Sequence, residues 1–158
     1  MPTSRRTFCA LTACVLLGAC SPDSTPRDQT GSQISQLAPL PQASANVLRA
    51  KLNAAGMPTE YAAHFAAERI ERIVEHRQHG NATVAAEYTF AGARLIEYRG
   101  PKLQSSERLE LQFDTQGALV SGRAPNVSDE DIAAIRDRAQ LLRSHATAQR
   151  ATKAHVQH

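Results

Sequence analysis

The sequence contains no tryptophan, and aromatic residues make up only 4% of its 158 positions. Much of its 42% hydrophobic content is alanine, which buries little area per residue, so a small core of ordinary stability is expected. All three cysteines, Cys9, Cys14 and Cys20, fall in the first 20 positions. From Ser21 onward no disulfide, thiolate metal site or thiol nucleophile can be built. Neither sign of charge dominates. The net charge is +3, and without the first 19 residues sixteen basic side chains face fifteen acidic ones. A nucleic-acid binder usually carries a clustered basic face. No such run occurs, and basic residues do not interleave with aromatics, so no nucleic-acid partner is expected. The apolar stretch from Phe8 to Ala19 has 12 residues. A membrane-spanning helix needs about 20.

That stretch has the length of a signal-peptide apolar region, and Arg5 and Arg6 precede it with no acidic residue nearby. Its end, Leu17-Gly18-Ala19-Cys20, resembles the lipobox of bacterial lipoproteins. The resemblance implies cleavage before Cys20 and a diacylglycerol on its thiol, the strongest nucleophile among ordinary side chains. Leu17, Gly18 and Ala19 would be the processing residues, and Cys20 the lipid attachment site and membrane contact. Ser4-Arg5-Arg6-Thr7-Phe8 is similar to the twin-arginine export motif, with Cys9 and Ala10 where that motif usually has Leu and Lys. Ser21, rather than Asp, after the anchor implies by analogy the periplasmic face of the outer membrane.

The organisation expected is a signal peptide over 1–19, a lipid-anchored tether over 20–44, a small domain over 45–150 and a frayed tail over 151–158. The tether is rich in Pro and Ser. As a coil, residues 21–44 would reach about 25–30 Å. Ile34, Leu37 and Leu40 recur every three residues within it, but Pro39 and Pro41 break any α-helix. A first helix is predicted over 46–55, stopped by Gly56. A second is predicted over "TEYAAHFAAERIERIVEHRQHG", where Ala62, Phe65, Ala66, Ile70 and Ile73 make a stripe.

The period then changes to two. Val84, Ala86, Tyr88 and Phe90 share a face. An Ala91-Gly92 turn would pair Phe90 with Ala93 and leave Tyr98 on the opposite side. "SERLELQF" and "ALVSGRA" follow as third and fourth strands. Ser128 and Asp131 form a capping-box variant, with Val127 and Ile132 placed as a staple. Ile132, Ile135, Ala139, Leu142 and Ala146 then give a helical stripe. The fold class expected is α+β: two N-terminal helices, a four-stranded antiparallel meander and a C-terminal helix packed on the sheet. The helix–helix–sheet order resembles the small SmpA/OmlA-type lipoproteins of outer-membrane assembly.

The chemistry inventory is thin. The sequence has no G-x-S-x-G elbow and no glycine-rich phosphate loop. Of the six histidines, His64, His76, His79, His145, His155 and His158, only His76 and His79 stand close enough on the second helix to share a metal, and no third ligand joins them. They read as cations at a helix C-terminus. Glu107 with Glu110, and Glu87 with Glu97, fall on opposite strand faces, so neither is an acid–base pair. The Asn81 and Asn126 sequons read as turn and cap residues. Arg136, Arg138, Arg143 and Arg150, interleaved with Asp129, Glu130 and Asp137, read as a solvated face. No catalytic residue, metal or cofactor is assigned. The expectation is a lipid-anchored, non-catalytic envelope module that binds a protein partner. A periplasmic small-ligand carrier is the alternative, and a hydrolase ranks last.

Overall fold

The computed structural model of the chain describes residues 38–156, apart from 55, 104, 106 and 124–126. Seven strands and one helix follow in order: β1 (Val47–Ala54), β2 (Met57–Ala66), β3 (Arg69–His79), β4 (Ala82–Ala91), β5 (Arg94–Pro101), β6 (Arg108–Phe113), β7 (Leu119–Arg123) and α1 (Asp129–Val156). The strands form one sheet in sequence order, each antiparallel to the next. The expected α+β arrangement is overturned. The two N-terminal helices are instead three strands, and the meander has seven strands rather than four. The resemblance to SmpA/OmlA-type lipoproteins rested on those helices and falls with them.

Period two is present in the first three strands, but disguised. In β1, Leu48, Ala50 and Leu52 face the core while Arg49 and Lys51 face out. In β2, Thr59, Tyr61, Ala63 and Phe65 are buried on the inner face. In β3 the inner positions are Ile73, Glu75 and Arg77, two of them charged. A bulge completes the disguise. His64 pairs with Arg72 but Phe65 pairs with Ile70, which leaves Glu71 as the extra residue. Ile70 and Ile73 therefore both reach the core at a spacing of three, which is also the spacing of a helix face. The reversal between β2 and β3 uses Ala67 and Glu68, with Ala67 at φ 53°, a conformation usually left to glycine or asparagine. Strong helix formers fill these strands because cross-strand packing decides their state, not intrinsic preference.

The β4–β5 turn is Gly92-Ala93, not Ala91-Gly92, so Phe90 pairs with Leu95. A second bulge at Ile96 then pairs Tyr88 with Tyr98 and turns Tyr98 into the core. The two rings lie 5.1 Å apart. Gly100 lets β5 approach β4, because a Cβ there would lie 2.7 Å from both the Ala86 Cβ and the Tyr98 hydroxyl. On β6, Leu109, Leu111 and Phe113 alternate inward. All six aromatic residues beyond position 20 are buried on one sheet face. Scarcity is thus offset by placement.

Helix α1 closes that face. Ile132, Ile135, Ala139, Leu142 and Ala146 are its buried stripe and join the sheet's core cluster. Its start is fixed as the capping pattern requires. The Ser128 Oγ accepts from the Asp131 N–H, and Asp131 Oδ2 accepts from the Ser128 N–H and hydroxyl. Lys102 Nζ stands 2.8 Å from the same carboxylate. Helix α1 continues to Val156, into the stretch expected to fray.

Hydrogen bonds from Lys102, then from Ser128, bring the Asp131 carboxyl down to about 2 from an ordinary 3.8. A depressed carboxylate stabilises the fold above its unfolded value, and that contribution fades as pH falls from 3.8 towards 2. Denaturant melts should therefore show Asp131→Asn weaker than the native chain at neutral pH, with the gap closing across that window. Ser128→Ala should cost about 1 kcal/mol at neutral pH.

Candidate functional site

Among the described residues, the buried charged groups lie between the sheet and α1. Glu75 is fully buried at the centre of β3, and the same alternation that points Ile73 inward points it there. Two residues on, Arg77 shares its face and donates from Nη1 to Glu75 Oε1 at 3.1 Å. Arg138 comes from α1, one position before Ala139 in the buried stripe, and donates from Nε to Glu75 Oε2 at 3.1 Å. The Tyr88 hydroxyl donates to Oε1 at 2.7 Å. Arg138 Nη2 donates to the Thr59 hydroxyl at 2.6 Å, and Arg77 Nη2 to the Pro101 carbonyl at 3.3 Å. The Tyr98 hydroxyl donates to that same carbonyl.

Two guanidiniums thus share one carboxylate. Burying an ion costs several kcal/mol, which only close geometry and full hydrogen bonding offset. Both carboxylate oxygens are engaged, and the surplus positive charge is directed at a hydroxyl and a carbonyl. Burial, followed by the charge of Glu75, holds the Tyr88 hydroxyl well above its usual range. Burial also pushes Tyr98 up to about 12. Arg77 is 4% exposed and Glu75 is not exposed at all. Groups sealed in this way have no path to a substrate proton, which general acid–base work requires. What the arrangement does is fix the position of α1.

A second polar contact ties α1 down further along. The Tyr61 hydroxyl and His145 Nδ1 share a hydrogen bond of 2.7 Å, and burial pushes the Tyr61 hydroxyl up to about 12. At the helix ends, Arg136 lies 5.0 Å over the Phe113 ring and Arg150 lies 4.2 Å over Phe65. Arg150 also reaches Glu68 at 3.4 Å. The arginines read as one solvated face therefore divide. Arg138 is buried, Arg136 and Arg150 cover aromatics, and Arg143 bonds Gln140 nearby.

Other expectations are also corrected. His76 and His79 lie in β3, not at a helix C-terminus, and a strand separation of three puts them on opposite faces. Glu87 and Glu97 share the outer face, because the Ile96 bulge and the shifted turn change the register. Each has its own cation: Arg72 stands 3.4 Å from Glu87, and Arg99 stands 2.7 Å from Glu97. With Lys51 2.8 Å from Glu60 and Arg49 beside it, the outer face is a mosaic of both signs. His64 sits in this mosaic with Nε2 3.4 Å from Arg72, and burial, then Arg72, lowers its pKa. Asn81 occupies the β3–β4 turn. Among the described residues, no group of three or more metal-ligating side chains forms.

Glu75, Arg77, Thr59 and Tyr61 were missed as a cluster because their segment read as a helix. The signal available was that Ile73, Glu75 and Arg77 stay in phase at period two. Arg5, Arg6, Leu17, Gly18, Ala19, Cys20, Asn126 and His158 lie outside the described residues. Compared with known protein families, with curated proteins and with solved structures, the chain matches none of them.

Proposed function

We propose that the chain is a lipid-anchored module of the bacterial envelope that binds another protein and performs no chemistry of its own. Anchoring at Cys20 is the reading of its first 20 residues. The binding role is carried by one observation. Among the described residues, α1 covers one face of the sheet, and the opposite face carries exposed charges of both signs. Arg49, Lys51, Glu60, Arg72, Glu87, Glu97 and Arg99 mix both signs across that face, each acid beside a base. A mosaic of both signs suits a complementary protein surface, because matched charges guide encounter and penalise wrong partners. A polyanion would instead call for one sign.

The test is site-specific photocrosslinking in intact cells, with the reactive residue at Val74 on the outer face or at Leu141, which is 42% exposed on α1. The expected result is a discrete adduct with an envelope protein from Val74 and a weaker one or none from Leu141. No adduct from either site, together with a small molecule that stays with the purified protein, would favour the carrier reading.

A further inference from the structure

Between the last turns of α1, the start of β1 and the β2–β3 reversal lies a groove of about 570 Å³. Ligand sites commonly measure roughly 300–1,000 Å³. Leu48 and Phe65 line it from the sheet, and both belong to the core cluster. Ala151 and Ala154 line it from α1, where their small side chains leave the space open.

Its cations come from the same helix. Arg150 and Lys153 stand three apart on α1, a spacing that makes them neighbours on the helix surface, and both line the groove. The Arg150 guanidinium lies over the Phe65 ring, and its Nη2 reaches the Ala67 carbonyl and the Glu68 carboxylate only at 3.4 Å. The Glu68 side chain is 85% exposed, so that pair is worth little. Among the described residues Lys153 has no ion-pair partner. Two cations thus face one solvated carboxylate, and the groove is left with a positive charge to match. Other polar groups along it are already engaged. Ser44 and Val47 exchange both of their main-chain hydrogen bonds, and the Thr147 hydroxyl donates to the Arg143 carbonyl. A peptide would find no strand edge to pair with at this place, whereas an aliphatic chain needs none.

We infer that this groove binds a single-chain anionic amphiphile, with its aliphatic chain on Leu48 and Phe65 and its carboxylate at Arg150 and Lys153. The site lies on the α1 side of the sheet, apart from the outer face, so it does not rest on a protein partner docking there.

The test is a titration of the full chain with dodecanoate below its micelle-forming concentration, read by backbone amide shifts. The three cysteines are replaced by serine, so that the protein carries no lipid of its own. The expected result is saturable shifts at Leu48, Phe65 and Ala151, with binding about tenfold weaker or more in Arg150→Gln/Lys153→Gln. Lys153→Gln alone, at an exposed position, should weaken binding without disturbing the fold. Dodecyltrimethylammonium, the same chain with the opposite charge, should bind more weakly than dodecanoate. The absence of saturable shifts at these residues would overturn the inference. So would equal affinity for the cationic amphiphile, or undiminished affinity in both variants. Nuclear Overhauser contacts in the free protein between residues before Ala38 and Leu48 or Phe65 would assign the groove to the chain's own N-terminal segment and overturn it as well.

Discussion

Glu75→Ala should be among the most damaging single substitutions in the domain, with a loss of about 3–5 kcal/mol and a fall in Tm of roughly 10–20 °C. The reason is the count of charges. Glu75 is the one carboxylate between the Arg77 and Arg138 guanidiniums, and its removal leaves two cations buried with no anion. Arg138→Met should cost less, because Glu75 and Arg77 remain as a balanced pair. Replacement of all three by apolar residues of similar volume should recover most of the loss, because burying no charge avoids the desolvation term altogether. Denaturant melts of the three variants supply the ranking. If Arg138→Met proves as damaging as Glu75→Ala, the balance of charge is not what matters at this site.

Tyrosine titration should be just as distinctive. The chain has three tyrosines, Tyr61, Tyr88 and Tyr98, and none is exposed. Burial raises Tyr61 and Tyr98 to about 12, and it raises Tyr88 well above its ordinary value, aided by the charge of Glu75. In the unfolded chain each ionises near 10. A group raised on folding contributes stability that is fully present below its unfolded pKa and is lost as pH rises through its folded one. The native chain should therefore show almost no tyrosinate absorbance around pH 10, where each tyrosine of the denatured chain is about half ionised. The signal should then appear together with loss of secondary structure as pH climbs towards 12. A tyrosine that titrates near 10 while circular dichroism stays native would place that ring in water and contradict the packing described.

The parts of the fold that were legible share a physical feature: local signals agree with burial. Helix α1 begins at Ser128 with Asp131 three residues on, and its stripe from Ile132 to Ala146 keeps helical spacing because water lies on its other side. Strands β4 and β6 alternate cleanly, and the turns that follow them hold Gly92 and Gly117 at positive φ of 64° and 88°, although the bulge at Ile96 in β5 hid the pairing of Tyr88 with Tyr98. The region from β1 to β3 failed on each count. Its residues favour helix, its β2–β3 turn is Ala-Glu, and its Glu71 bulge sets two isoleucines three apart. The ionic cluster was hidden for the same reason. Inward charges at Glu75 and Arg77 look like surface until the segment is known to be a strand, and Arg138 looked like one more member of a solvated face.

Lipid anchoring is the premise of every envelope partner considered above, and one measurement tests it. The native chain and a Cys20→Ala version are expressed in bacteria, membranes are separated from soluble periplasm, and intact masses are taken. The account predicts the native protein in membranes, cut before Cys20 and heavier by its lipid, with the Cys20→Ala protein neither lipidated nor retained. Two soluble proteins with the same unlipidated processing would contradict it. The domain would then diffuse freely in the periplasm, and the carrier reading would replace the anchored module.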